Sequence, residues 1–375
     1  MRLLIMIALL AVSTMHAADN RERLLANPAS LATPANLSLV KAHYTTAFVG
    51  KVGESGFNLH SYLAYFDGRF WLCWSSAKVH EEDPDQHILY ATSKDGHNWS
   101  TPRVLVADPD GAEGPQRWIA RGMFVERGHL YALGALIASA DYKMQGKGIV
   151  WRDLKLIRFR WTGKTWKRDS VFADDCMNNF PPMRVNGAYV MPCRDSKMSL
   201  KIARETNGKE GRRWTTVPIH SDPPFNKMDE PTLYQASDGI LQLIIRDGSH
   251  SGFLLRSVSS DSGRTWTAPV RTNYPDATSK NFATRLSDGS YILINNPSPK
   301  GRDPLAISLS KDGWSFDHPR ALRASSQMPA SSQKWSFQYP HAMEHDGSLW
   351  VAYSVNKRDI EVCEVKLSDL EESSH

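Results

Sequence analysis

The chain has 375 residues, 41% of them hydrophobic, with 12 Trp, 12 Tyr and 13 Phe. That is enough apolar material for a large core, and all-β chains of this size occur as one domain. The formal charge of +5 comes from 45 basic and 40 acidic side chains. It is not gathered into any long basic run, so a nucleic-acid-binding tract is excluded.

Residues 1–17 read as a signal peptide. Arg2 gives the basic start and Leu3 to Val12 an apolar stretch too short to span a bilayer, with cleavage after Ala17 or Ala18. No later segment is apolar for the length of a membrane span, so a secreted or periplasmic protein without stable membrane insertion is expected. Export permits disulfides among Cys73, Cys176, Cys193 and Cys363. Cys176 and Cys193 flank one predicted hairpin and could meet, but four cysteines allow three pairings. None has CxxC spacing, so zinc is not expected. Residues 18–44, with Pro28 and Pro34 and no periodicity, read as a lead-in to a domain over 45–370.

Six times, a turn ending in glycine precedes a mostly apolar run. The copies are FDGRFWLCW at Gly68, ERGHLYALGA at Gly128, VNGAYVMPCR at Gly187, SDGILQLIIR at Gly239, SDGSYILINN at Gly289 and HDGSLWVAYS at Gly347. The glycines lie 60, 59, 52, 50 and 58 residues apart. Asp-Gly or Asn-Gly between apolar runs is the strongest local hairpin signal. A second motif is interleaved: SKDGHNW ends at Trp99, SSDSGRTW at Trp266 and SKDGWSF at Phe316, with weaker copies ending at Trp166 and Trp214. Units of roughly fifty residues repeated six times predict an all-β, six-bladed β-propeller of four-stranded antiparallel blades.

Strand alternation then predicts where a ligand sits. The glycine hairpin joins the innermost strand to the second, and the other turn joins the third to the outermost, so both share a face. The opposite face receives inner-strand starts, second-strand ends and the loops that follow. Seven residues beyond each glycine stand Ser75, Ala135, Arg194, Arg246, Asn296 and Ser354. The inner strands start at Asn58, Arg121, Asn178 with Asn179, Glu230, Lys280 and Tyr339; the loops add His80, Glu81, Glu82, Asp83, Asp85, Arg302 and Lys357. Buried charge without a partner is costly, so arginines and a glutamate gathered at a channel mouth point to a charged ligand.

The form S-x-D-x-G-x-T-W, complete from Ser259 to Trp266, resembles the Asp-box, or BNR repeat, of the sialidase superfamily. There it is a structural turn, so its aspartates are not catalytic candidates. EPTLYQASDGILQLIIR resembles the sialidase segment that supplies a glutamate and an arginine, here Glu230 and Arg246; NNPSPKGRDPL supplies Arg302. YPHAMEHDG puts Tyr339 where the family has its nucleophile, and EEDPDQHILY offers Asp83 or Asp85 as acid/base, with Glu81 and Glu82 nearby. The chemistry suits these types. Guanidinium groups bind carboxylates through paired hydrogen bonds. A tyrosine nucleophile needs a base, which Glu230 could be, and is a known exception to the two-carboxylate rule.

Sialidases carry Tyr/Phe-Arg-Ile-Pro on the first inner strand, whereas this chain reads Phe57-Asn58-Leu59-His60. Asn58 replaces an arginine, so Arg121 or Arg194 would have to rebuild the cluster, and a uronic or sulfated sugar fits as well as sialic acid. His60, His80 and His341 fall on the same face without metal-ligand spacing; His341 or His60 is an alternative proton donor.

The resemblance implies an exo-acting glycoside hydrolase that releases a terminal acidic sugar from a glycan or glycoconjugate, with no cofactor. Glu230, Tyr339 and Asp83 or Asp85 would be catalytic; Arg246, Arg302, Arg194, Arg121, Asn58, His341 and Lys280 would bind substrate. Two alternatives stay open. One is a polysaccharide lyase in which Tyr339 or His341 takes the C5 proton of a uronate, the other a glycan-binding propeller without catalysis.

Overall fold

Each of the six repeated hairpins turns on a glycine with positive φ, between 69° and 92°. In four of them the preceding residue, Asp67, Arg127, Asn186 or Asp346, is also left-handed. That pair of dihedrals gives the two-residue turn whose twist matches the flanking strands. The hairpins at Gly239 and Gly289 are one size larger, with Ala236 and Leu286 bonding across to Ile240 and Ser290.

The computed structural model describes residues 21–81, 83, 85–108, 116–138, 151–208, 211–221 and 227–371, without the side chains of 207–213 and 371. The signal-peptide expectation lies outside these residues, as does Glu82. A first strand, β1 (His43–Phe48), precedes the repeats. Blade 1 is β2 (Phe57–Phe66), β3 (Arg69–Ala77), β4 (His87–Ser93) and β5 (Arg103–Val106). Blade 2 is β6 (Gln116–Glu126), β7 (His129–Ala138), β8 (Arg152–Trp161) and β9 (Trp166–Asp174). In blade 3 the innermost position is shared by β10 (Met177–Asn178) and β11 (Met183–Val185), followed by β12 (Ala188–Arg194), β13 (Leu200–Gly208) and β14 (Gly211–Pro218). Blade 4 is β15 (Met228–Gln235), β16 (Leu241–Asp247), β17 (Phe253–Ser259) and β18 (Val270–Pro275). Blade 5 is β19 (Phe282–Arg285), β20 (Tyr291–Asn295), β21 (Leu305–Ser310) and β22 (Asp317–Arg323). Blade 6 is β23 (Phe337–His345), β24 (Ser348–Val355) and β25 (Asp359–Lys366), completed by β1 from the other end of the chain. Every strand pairing within the described blades is antiparallel, so the architecture is the expected six-bladed propeller.

The core lies between blades. Because side chains alternate faces along a strand, β3 sends Phe70, Leu72 and Trp74 toward Trp350 and Val362 of blade 6, and Trp71 and Cys73 toward Trp118 and Phe159 of blade 2. The same division builds an apolar cluster at every blade junction.

The lead-in is part of this packing. Leu24, Leu25 and Leu31 are buried between blades 4 and 5. The Asn273 Oδ1 accepts from the amides of Leu24 and Leu25 at 2.9 and 2.8 Å, and Val40 donates to the Ala321 carbonyl at 2.9 Å.

The Asp-box turns are saturated with hydrogen bonds. Asp261 accepts from the amides of Arg264 and Thr265, both at 2.9 Å, and from the Thr265 hydroxyl at 2.7 Å. Asp95 accepts from the amides of His97 and Asn98 at 2.9 and 2.8 Å. Gly96 is demanded by contact: a Cβ there would fall 2.2 Å from the Trp350 ring of blade 6. Trp99, Trp266 and Phe316 lead into β5, β18 and β22, Trp166 opens β9 and Trp214 lies in β14, so all five mark outermost strands. All four cysteines are buried free thiols, with Cys176 and Cys193 in mutual contact. No described helix is long and apolar enough to cross a membrane.

Candidate active site

Four of the innermost strands carry a β-bulge near their start. The register shifts between Leu59 and Tyr62 in β2, Ala120 and Gly122 in β6, Asp229 and Thr232 in β15, and Gln338 and His341 in β23. The residues on the bulges are His60, Arg121, Glu230 and Tyr339. His60, Glu230 and Tyr339 have φ of 58°, 39° and 63°. Such left-handed backbone costs on the order of 1–3 kcal/mol at each non-glycine residue and re-aims the side chain.

Polar residues of the neighbouring blades hold these bulges in place. Ser75 Oγ accepts from the Ala120 amide at 2.9 Å, and Ser354 Oγ donates to the Asn58 carbonyl at 2.7 Å. Asn296 Nδ2 donates to the Phe337 carbonyl at 2.8 Å, and Asn178 Nδ2 to the Arg121 carbonyl at 3.0 Å. Ser75, Asn296 and Ser354, expected at the channel mouth from their register, therefore act as staples between blades, and Ala135 is buried in the core. Of the six equivalent positions, Arg194 and Arg246 alone bring charge to the bulges.

Arg246 links the two central side chains. Its Nη1 donates to Glu230 Oε2 and, at 3.1 Å, to the Tyr339 hydroxyl. Arg194 Nη1 lies 2.6 Å from Asp229 Oδ1, and its guanidinium packs over Trp151 at 4.9 Å. The Arg302 guanidinium stands 5.4 Å from the Tyr339 ring and donates to the Thr278 carbonyl at 3.3 Å. Lys280, fully buried, donates to the Tyr62 hydroxyl at 3.1 Å and lies over the Tyr62 and Phe180 rings.

Electrostatics follow from this burial. Desolvation alone would raise the Glu230 carboxyl, but Arg246, then Arg194 and Lys280, outweigh it and hold Glu230 down to about 2. Burial pushes the Tyr339 phenol up, reinforced by Glu230 and Glu81 and opposed by Arg246 and Arg302. Tyr339 is therefore a neutral phenol at rest. Burial, opposed by Glu230 and helped by Arg121, lowers the Lys280 amine.

On the blade 1 side, Glu81 Oε1 lies 3.5 Å from His60 Nε2, and Glu81 Oε2 lies 3.2 Å from Lys357 Nζ. The His60 and Tyr339 rings are 5.3 Å apart, so Glu81 belongs to the same constellation. Asp83 and Asp85 turn inward on their own loop. Asp83 accepts from the amides of Val79 and His80 at 3.2 and 2.6 Å, and Asp85 from Lys78 at 3.0 Å. Asn58 corrects the register by two residues, because the bulge presents His60 instead. Its Nδ2 donates to the carbonyls of Ser55 and Arg358 at 2.7 and 2.6 Å, and its Oδ1 accepts from Trp74 at 3.0 Å, leaving no donor for a ligand. His341 Nδ1 accepts from the Leu63 amide at 3.1 Å and its ring stacks on Phe180, while burial and Lys280 lower it to about 3, so it is a neutral wall residue.

Two acidic residues of this region carried no signal in the sequence. Asp229 is one, the partner of Arg194. The other is Asp276, buried, accepting from Ser279 and Asn295 and raised by burial to about 7. A cleft of about 260 Å³ opens beside Glu81, lined by Phe57, His80, Asn356 and Lys357. A larger one, about 540 Å³, lies on the Asp-box face among Asp288, Asp312, His318 and Leu370, remote from these groups. Among the described residues no three His, Cys, Asp or Glu side chains are grouped to hold a metal.

Six blades with Asp-box turns on one face, and a buried tyrosine, glutamate and arginine joined on the other, define a protein of the sialidase-like class. The chain belongs to the BNR repeat-like domain family, whose model matches residues 68–351. Its fold is similar to that of a solved sialidase, with 22% identity and a TM-score of 0.65 over 92% of this chain and 35% of that one. This chain thus spans about a third of that protein's length. Hadza microbial sialidase Hz136 superposes with a TM-score of 0.66 at 17% identity, over 84% of this chain and 66% of that one. Trypanosoma rangeli sialidase in complex with sialic acid gives 0.65 at 14%, over 89% and 60%. No curated protein sequence matches.

Proposed function

We propose that this chain is an exo-acting glycoside hydrolase that releases a terminal acidic sugar, exported by residues 1–17. The observation carrying this reading is the single Arg246 Nη1 that bonds both Glu230 and Tyr339 inside the channel. In the reading, the sugar's acidic group reaches Arg246 and Arg302 and competes with Glu230 for the guanidinium. Glu230, relieved of part of that charge, becomes basic enough to take the Tyr339 proton as the phenolic oxygen bonds to the anomeric carbon. The glycosidic bond breaks with a proton delivered to the leaving oxygen. Glu81 supplies it, since the carboxylates of Asp83 and Asp85 are engaged by loop amides. Water, deprotonated by Glu81, then cleaves the glycosyl–tyrosine bond and Glu230 returns the proton to Tyr339. With Asn58 closed off in the wall, simple sialosides should be poor substrates, because one charge-assisted contact of the family's arginine cluster is missing.

One observation favours the lyase alternative. Arg246 stands on the Tyr339 hydroxyl, where it would also stabilise a phenolate that takes a C5 proton from a uronate. Incubation with a panel of acidic glycans separates the readings. New reducing ends without ultraviolet absorbance support hydrolysis, and absorbance of an unsaturated uronate replaces it with elimination. Binding without either product would make the chain a lectin and overturn the proposal.

A further inference from the structure

Not all the channel's positive charge is balanced. Arg194 and Arg246 are neutralised by Asp229 and Glu230. Lys280 is 0% exposed, yet among the described residues its Nζ meets only the Tyr62 hydroxyl, the Asn179 carbonyl at 3.4 Å and aromatic faces. Arg121 is 2% exposed, and its Nε and Nη1 are buried without a hydrogen-bond partner. The buried Nδ1 of His60 is likewise unpartnered. These groups are neighbours: the Arg121 charge acts on His60, Tyr62 and Lys280 together. Among the described residues neither cation forms an ion pair with a carboxylate. Glu230 favours the charged Lys280 from beyond ion-pair distance, but it is already paired with Arg246, and a fold does not ordinarily bury two adjacent cations without a carboxylate of their own. The bulge of β6, fixed by Asn178, nevertheless commits Arg121 to this place.

We propose that Arg121 and Lys280 form a second oxyanion subsite, distinct from Arg246 and Arg302, so that the preferred ligand is a sugar with two acidic groups. The second group is a sulfate or a carboxylate. The inference rests on the acidic-sugar reading for ligand class, but its test is binding and needs no turnover. The unused N–H groups of Arg121, the Lys280 ammonium and the His60 ring would replace the water lost by the oxyanion. Tyr62 and Phe180 form the apolar floor beneath it. An arriving anion also favours the charged form of Lys280, as Glu230 does, against burial and Arg121.

Calorimetric titration of the full chain with glucuronic acid, a set of monosulfated glucuronic acids and glucaric acid tests the proposal. At least one doubly acidic sugar should bind tenfold or more tighter than glucuronic acid, with sulfated sugars and glucaric acid telling sulfate from carboxylate. Arg121→Gln and Lys280→Met should each erase that advantage, bringing the ratio of affinities for doubly and singly acidic sugars close to one. Both variants remove an unbalanced buried charge, so without ligand they should melt at or above the wild-type temperature. Equal affinity of the wild type for singly and doubly acidic sugars would overturn the subsite and leave the acidic-sugar reading intact. So would an advantage that survives both substitutions, or melting well below wild type, which would mean that the chain neutralises these cations itself. Failure of every acidic sugar to bind would overturn both proposals.

Discussion

The two ends of each blade are built from the same strands and solve opposite problems. At the Asp-box end the hydrogen-bonding groups close on one another within a few residues, as the five contacts of Asp261 with Ser259, Arg264 and Thr265 show. At the other end the backbone is bent into left-handed bulges at His60, Glu230 and Tyr339, and buried polar atoms of His60, Arg121 and Arg246 lack partners. Strain and unmet hydrogen bonds persist only where the surrounding fold enforces them. The stapling of the bulges by Ser75, Ser354, Asn296 and Asn178, and at Glu230 by Asn179, whose Nδ2 donates to the Pro231 carbonyl at 3.2 Å, is that enforcement. One end of the repeat supplies stability, and the other spends it on geometry.

The sharpest way to break this contrast is Arg246→Met, which strips Glu230 of its partner. Removing one member of a buried pair costs about 3–5 kcal/mol, so urea unfolding should shift markedly and turnover should vanish. Adding Glu230→Gln should restore much of the stability but no activity. Glu230 also gives the contrast a pH signature. Its folded value of about 2 lies below the ordinary 4.5, so it stabilises the fold above pH 4.5 and that contribution is lost as pH falls toward 2. Glu230→Gln should lack this part of the acid-unfolding profile.

Tyr339→Phe keeps the ring against His60 and removes only the hydroxyl. Turnover should drop by about 10³-fold or more, with stability changed by no more than about 1.5 kcal/mol. Glu81→Gln should slow kcat by about 10²–10⁴-fold on substrates with poor leaving groups and far less on activated aryl glycosides. Asp83→Asn should spare this leaving-group dependence; if it reproduces the Glu81 pattern instead, the acid assignment moves to Asp83. The smallest effect on chemistry is expected at the other end of the blade. Asp261→Ala should cost about 1–3 kcal/mol of stability and leave kcat/KM unchanged.

The repeat was legible because its signals are local. A glycine at a hairpin and an Asp-Gly turn before a tryptophan announce themselves within a few residues, and counting from them placed Glu230, Arg246 and Tyr339 on one face. The counting failed where geometry departs from a regular strand. A bulge adds a residue without changing composition, so Asn58 was read where His60 stands. Serine and asparagine seven residues past the glycine look no different as staples than as pocket walls. The choice of Glu81 over Asp83 and Asp85 depends on which carboxylate finds a loop amide, which spacing does not encode. Asp276 needed the fold to show that a loop aspartate is buried.

The pairing of β1 with β25 joins His43 to Glu364, nearly the two ends of the described chain. A circular molecule fastened this way has no natural seam at which synthesis could pause with a finished product. Until the last strand is made, the edge of β25 that will receive β1 does not exist, and the sixth blade cannot be completed. Contacts so distant in sequence are slow to form, and a strand waiting for its partner is open to the wrong one. The Leu24, Leu25 and Val40 contacts along blades 4 and 5 then act as a tether. They lay the waiting strand beside its berth, so that the ring shuts by a short final movement instead of a search through the whole volume of the chain.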